Sequence, residues 1–236
     1  MRTNYIAVIV LVCMLGGGSV FAALGYTDVA PPPLGGADHA SILADIYGGI
    51  FTADGVDFVG SDGINAYRVY DFDDQIDSTL NMLTGDQTDV DQIWTDGIAM
   101  VAAEGMWSPM GMIQSFGWNE GGTDTGNYFE FFDAVGEEAL VPVEGDFLWC
   151  YSPDTDAWWS LMSANDDNLD HIVTYKIEGA DLYGETMWLM FMEASLDTQE
   201  NWDFNDFVVE VSVVIPEPAS MLLFGIGALV LLRKRK

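Results

Sequence analysis

The sequence predicts an all-β protein: a single β-sandwich or jelly-roll-like domain with one short N-terminal helix, held between two terminal export signals. Three observations carry that expectation. Short runs of alternating or continuously apolar residues recur from Ala66 to Val214. Gly, Asp and Asn punctuate the intervals between them, as tight turns require. Helical spacing of apolar residues is confined to a short stretch after the N-terminal Pro/Gly-rich segment.

The elements follow in order. Arg2 opens the chain, and an uncharged apolar stretch from Tyr5 to Leu15 follows it. Gly16-Gly17-Gly18-Ser19 then loosens the segment ahead of Val20-Phe21-Ala22. Small residues at −3 and −1 suit signal peptidase, which places cleavage between Ala22 and Ala23 and makes residues 1–22 a signal peptide. Cys13 is no lipoprotein acceptor, because Val12 precedes it where a small residue is needed. Residues 23–37, with Pro31-Pro32-Pro33 and Gly35-Gly36, read as a stiff spacer. Ile42, Leu43 and Ile46 share one helical face, and Asp38 or Ser41 can cap a helix from Asp38 to Tyr47.

Strands are expected at Ala66–Phe72, Gly97–Ala103, Met110–Trp118, Asn127–Val135, Asp146–Ser152, Ala157–Met162, His171–Ile177, Met187–Met192 and Phe207–Val214. The last alternates most cleanly, with Phe207, Val209, Val211 and Val213 on one face and Val208, Glu210 and Ser212 on the other. Met187–Met192 is apolar throughout, the pattern of a strand buried on both faces. The domain so defined runs from 38 to 215.

Charge narrows the function. Between Ala23 and Ile215 only Arg68 and Lys176 oppose 37 acidic residues, a net charge of −35. A nucleic-acid binder needs clustered Lys and Arg against the phosphates, so that class is excluded. Self-repulsion on this scale calls for compensation by salt or by bound cations such as Ca²⁺, although most of these carboxylates read as a solvated surface. Removal of the signal peptide leaves Cys150 as the single cysteine, so no intramolecular disulfide forms. Its apolar and aromatic neighbours, Phe147-Leu148-Trp149 and Tyr151, predict a buried core thiol.

The C-terminal residues 216–236 hold Pro216-Glu217-Pro218, an uncharged stretch from Ala219 to Leu232, and Arg233-Lys234-Arg235-Lys236. Fourteen helical residues reach about 21 Å against a hydrocarbon core of roughly 30 Å, a poor permanent anchor. The terminal cations would hold that end in the cytoplasm while the segment sits in the inner membrane. This three-part tail resembles the PEP-CTERM sorting signal. The resemblance implies recognition of Pro216, Glu217 and Pro218 by an exosortase, a membrane cysteine protease-transpeptidase of exopolysaccharide-producing Gram-negative bacteria. An ordinary single-span anchor is the alternative.

The densest candidate chemistry lies between the last two strands. Asp203, Asn205 and Asp206 offer hard oxygens within four residues, and Glu193 could approach from the preceding strand end. Ca²⁺ takes six to eight oxygens from such loops, although the EF-hand spacing is absent. The same side chains can instead bond nearby backbone N–H groups and lock the turn. Asp203-Phe204-Asn205-Asp206-Phe207-Val208-Val209-Glu210, after Phe191-Met192-Glu193, resembles the C-terminal signature of the DUF 4114 family. That resemblance implies a β-rich extracellular module with suggested calcium or carbohydrate binding and no established enzyme activity. Met192-Glu193-Ala194 departs from the family pattern by one missing acid. Fainter echoes are Phe116-Gly117-Trp118 and Asp170-His171-Ile172-Val173. The acidic stretches Asp86–Asp91 and Asn165–Asp170 read as solvated loops.

Enzyme readings find little to stand on. There is no Gly-x-Ser-x-Gly elbow and no His-Glu-x-x-His pair, and neither His39 nor His171 has a recognisable partner in the sequence. Eight tryptophans, Trp107, Trp118, Trp158, Trp159 and Trp202 among them, could stack on sugar rings if exposed, or fill the core. The sequence therefore points to a non-enzymatic cell-surface or exopolysaccharide/biofilm-matrix protein. A carbohydrate-binding or adhesive module is the alternative, and a glycoside-active enzyme comes third.

Overall fold

The computed structural model describes residues 24–33, 36–70, 72–73, 94–105, 114–120, 128–132, 135–153, 156–180, 187–194 and 202–213. Helix α1 spans His39–Tyr47, and Asp38 caps it by accepting the Ser41 N–H at 2.8 Å. Such a cap satisfies one of the N–H groups the first turn leaves without a partner. The helix ends where the Gly48 N–H returns to the Ala44 carbonyl, and it buries Ile42 and Leu43 against the sheet.

In chain order the strands are β1 Leu24–Gly25, β2 Phe51–Asp54, β3 Asp57–Gly60, β4 Asn65–Arg68 and β5 Phe72–Asp73. After them come β6 Trp94–Gly105, β7 Gln114–Glu120, β8 Tyr128–Phe132, β9 Glu138–Pro153 and β10 Trp158–Trp159. The last are β11 Ile172–Glu178, β12 Met187–Met192 and β13 Phe207–Val213. Among the described residues β1 pairs with β5 alone, while the main antiparallel sheet runs β2-β3-β4-β11-β12-β13-β6-β9-β7-β8, with β10 attached to β9.

This long sheet folds over itself to make the sandwich. Near Gly145, whose φ is +81°, β9 bulges opposite Thr95–Gly97 and then exchanges its pairing with β6 for pairing with β7. The fold-over lays Tyr151 on Phe207, ring centroids 6.0 Å apart, and brings Trp94 to 5.6 Å from Trp188. β12 lies in the middle, buried on both faces as its unbroken apolar run predicts. Trp188, Met190 and Met192 face the interior between the layers, and Leu189 and Phe191 face a second interior beneath α1. A small third patch, Leu148, Cys150 and Trp159, packs behind β9.

Several expected elements shift. The β2–β3 hairpin, turning at Gly55 with φ +69°, was not among the expected strands. β2 exposes three of its four residues, so its sequence lacks an apolar alternation. The expected strand Asp146–Ser152 is only the second half of β9, because Pro142 and Gly145 disguise the first. Ala66–Phe72 divides into β4 and β5, and Ala157–Met162 shrinks to β10 followed by a 3₁₀ turn at Met162–Ala164.

Candidate functional site

The antiparallel pairing of β12 with β13 sets Met192 opposite Phe207, which carries Glu193 and Asp206 to the same end of the sheet. The structure thus gathers all four residues of the acidic candidate, and each closes the turn. Asp206 Oδ2 accepts the Ala194 N–H at 2.8 Å, and Glu193 Oε2 accepts the Phe204 N–H at 3.2 Å. Asn205 Nδ2 donates to Asp203 Oδ2 at 2.6 Å and to the Ala37 carbonyl at 2.9 Å. Phe204 takes a left-handed backbone, φ +49°, with its ring fully buried. Burial raises the Asp203 carboxyl above its ordinary pKa, opposed by a hydrogen bond with the Glu193 carboxyl and reinforced by the charge of Asp206. Among the described residues, no three His, Cys, Asp or Glu side chains are grouped to hold a metal ion.

His39 joins this turn to the helix. Its Nε2 lies 3.0 Å from the Asp203 carbonyl and 3.2 Å from the Phe204 carbonyl, so that nitrogen carries the proton. Nδ1 is left to accept from the Tyr175 hydroxyl at 3.0 Å, and the ring stacks on Phe191 at 4.0 Å. Burial, aided by the positive charge of Arg68, pushes His39 down to a pKa of about 3. The imidazole is a neutral structural connector. His171 is also fully buried, with Nδ1 2.9 Å from the Glu193 carbonyl, Nε2 2.9 Å from Asp167 Oδ2, and the Trp158 ring stacked at 3.8 Å. Both histidines therefore have partners that the sequence did not reveal. Asp167 lies four residues from His171, but the partners of His39 lie far away in sequence, 136 residues in the case of Tyr175, where no local pattern could show them.

The expected solvated loop Asn165–Asp170 is only partly that. Asn165 and Asp170 are buried, Asn165 bonding the Trp159 N–H and carbonyl and Asp170 accepting from Ile172 N and Thr27 Oγ1. The tryptophans fill interiors: Trp94, Trp149, Trp159 and Trp188 are buried, and Trp118, Trp158 and Trp202 are partly covered. Trp107 lies outside the described residues, as do Asp86–Asp91. Cys150 is a buried free thiol whose pKa burial pushes upward, as expected of a core cysteine.

The Pro-rich segment, expected as a spacer, lies docked against the domain. Ala30 N–H donates to the Trp202 carbonyl, Thr27 Oγ1 donates to Asp170, and Tyr26 stacks on Tyr70 at 4.7 Å. Between this segment, the start of α1 and the β2–β3 hairpin lies a cleft of about 660 Å³.

The C-terminal residues 214–236 match the family model of the PEP-CTERM protein-sorting motif. The chain carries a PEP-CTERM sorting signal. Pro216, Glu217 and Pro218 lie within that match, and they stand outside the described residues together with the cleavage pair Ala22 and Ala23. A PEP-CTERM protein is an exported one whose processing partner is an exosortase. No curated protein and no solved structure matches the chain. No helix among the described residues is long and apolar enough to cross a membrane.

Proposed function

We propose that this PEP-CTERM protein is a non-catalytic component of the Gram-negative cell surface or exopolysaccharide matrix. In this reading signal peptidase releases it at Ala23, the C-terminal segment holds it briefly in the inner membrane, and an exosortase removes that segment. The sorting-signal match at 214–236 is the observation that carries the reading. The brevity of the uncharged stretch supports a temporary anchor. The non-catalytic part is supported by the chemistry of the usual nucleophiles and bases: His39, His171 and Cys150 are all buried, and both histidines hold elements together. The DUF 4114-like signature supports an extracellular β module, with its acidic residues serving the turn. Cations then stabilise the domain diffusely, by screening its negative charge.

Intact-mass analysis of the protein from its native host tests the reading. The expected product begins at Ala23 and lacks the segment after about Pro218. Retention of Arg233–Lys236 would overturn the exosortase step, and turnover of extracted matrix polysaccharide would overturn the non-catalytic one.

A further inference from the structure

We infer that the cleft beneath the N-terminal segment is a binding site for a neutral saccharide unit. Its volume of about 660 Å³ falls within the range of roughly 300–1,000 Å³ typical of small-molecule sites. Its walls divide by chemistry. Arg68, His39 and Tyr175 form a buried floor, while Asp28, Asp38 and Thr52 stand exposed at the mouth. Phe51 and Phe58 add aromatic surface beside them. Carboxylates accept from sugar hydroxyls, a guanidinium donates to hydroxyl and ring oxygens, and aromatic surface covers the apolar C–H face of a pyranose.

The charge balance selects a neutral ligand over an acidic one. Arg68 is one of two cations in the domain, and its guanidinium already lies over the Tyr175 ring at 5.4 Å and donates to the Thr27 carbonyl at 3.3 Å. Asp28, Asp38 and Asp203 share the cleft with it, so a uronate would meet an excess of negative charge both locally and across the −35 domain. The cleft is also preorganised. Pro31 and Pro32 stiffen the wall, and the Ala30–Trp202 hydrogen bond and the Thr27–Asp170 hydrogen bond fasten it, so little ordering is needed on binding.

This inference deepens the matrix reading by naming a ligand class, and the two can fail separately. Saturation-transfer NMR on the exported, processed protein, with methyl glucoside, methyl galactoside, methyl mannoside and methyl glucuronide as probes, tests it. At least one neutral glycoside should show transfer, with the glucuronide bound about tenfold more weakly than the best of them. Ala53→Trp, at an exposed position lining the cleft, should obstruct it and weaken binding at least about tenfold at unchanged melting temperature. Arg68→Gln should weaken it too, but that residue is buried, so Ala53→Trp decides if the Arg68 variant misfolds. No transfer from any neutral glycoside, binding indifferent to Ala53→Trp, or preference for the glucuronide would each overturn the site. None of these outcomes bears on export or processing, which the intact-mass measurement reads independently.

Discussion

The two faces of β12 border interiors built on opposite principles. On one side Trp188, Met190 and Met192 meet Trp94, Phe116, Phe147 and Trp149, with Phe116 stacked on Trp149 at 5.3 Å and Phe147 edge-on to it at 4.9 Å. On the other, Leu189 and Phe191 meet α1 together with His39, Tyr175, Asp203 and the Tyr47–Glu210 hydrogen bond of 2.7 Å. The first interior is held by apolar area and close aromatic packing, which protons do not change. The second is held partly by groups that titrate, so its stability follows pH. One sheet can therefore supply a permanent core and an adjustable one, and the cleft borders the adjustable one.

The sharpest way to break the comparison is to attack the aromatic side. Trp149→Ala should cost about 3–5 kcal/mol, a cavity in a tightly packed interior, and the loss should be the same at pH 5 and pH 7. Chemical denaturation at both values measures it; a loss that depends on pH would mean the aromatic interior is not electrostatically inert.

Acid tests the other side. His39 has its folded pKa depressed from 6.5 to about 3, so its contribution is present above pH 6.5 and is lost as the pH falls toward 3, in total roughly 3–5 kcal/mol. Asp203 and Glu210, raised first of all by burial, have the opposite sign: their contribution is full below the ordinary carboxylate range and declines as pH rises through their folded values. His39→Gln should therefore remove most of the fall in stability between pH 7 and pH 5. A parallel fall in variant and parent would remove His39 as the source.

The smallest expected effect separates turn closure from metal binding. Asp206→Ala removes the acceptor of the Ala194 N–H and should cost about 1–2 kcal/mol at every Ca²⁺ concentration. NaCl and CaCl₂ at equal ionic strength should raise the melting temperature of parent and variant alike, by screening. A Ca²⁺-specific increment present in the parent and absent in Asp206→Ala would instead place a cation at the turn.

Legibility followed periodicity. β11, β12 and β13 were readable because each buries a regular or continuous set of apolar side chains, and the α1 cap because Asp38 acts within one turn. β2 and β3 were not, since a short edge hairpin in which only Phe51 is buried needs no apolar alternation. The first half of β9 was hidden by Pro142 and Gly145, residues that a bulged strand accommodates and a regular one does not. The acidic turn was found as a cluster, yet its chemistry was undecided, because the same carboxylates suit a cation or a backbone N–H. Its hydrogen bonds to Ala194 and Phe204 support turn closure.

By itself the sequence determined the β class, the central buried strands, the core thiol and the sorting tail. A strand's burial is written in its own alternation, and a sorting signal is a linear arrangement of motif, apolar stretch and charge. Only the tertiary structure decided what His39 bonds, how the aromatic residues divide between two interiors, and that the Pro-rich segment walls a cleft. Several of the contacts involved join residues more than 130 positions apart, such as Ala37 to Asn205 and Thr27 to Asp170. They depend on strand register and on the fold-over at β9, which no local pattern encodes.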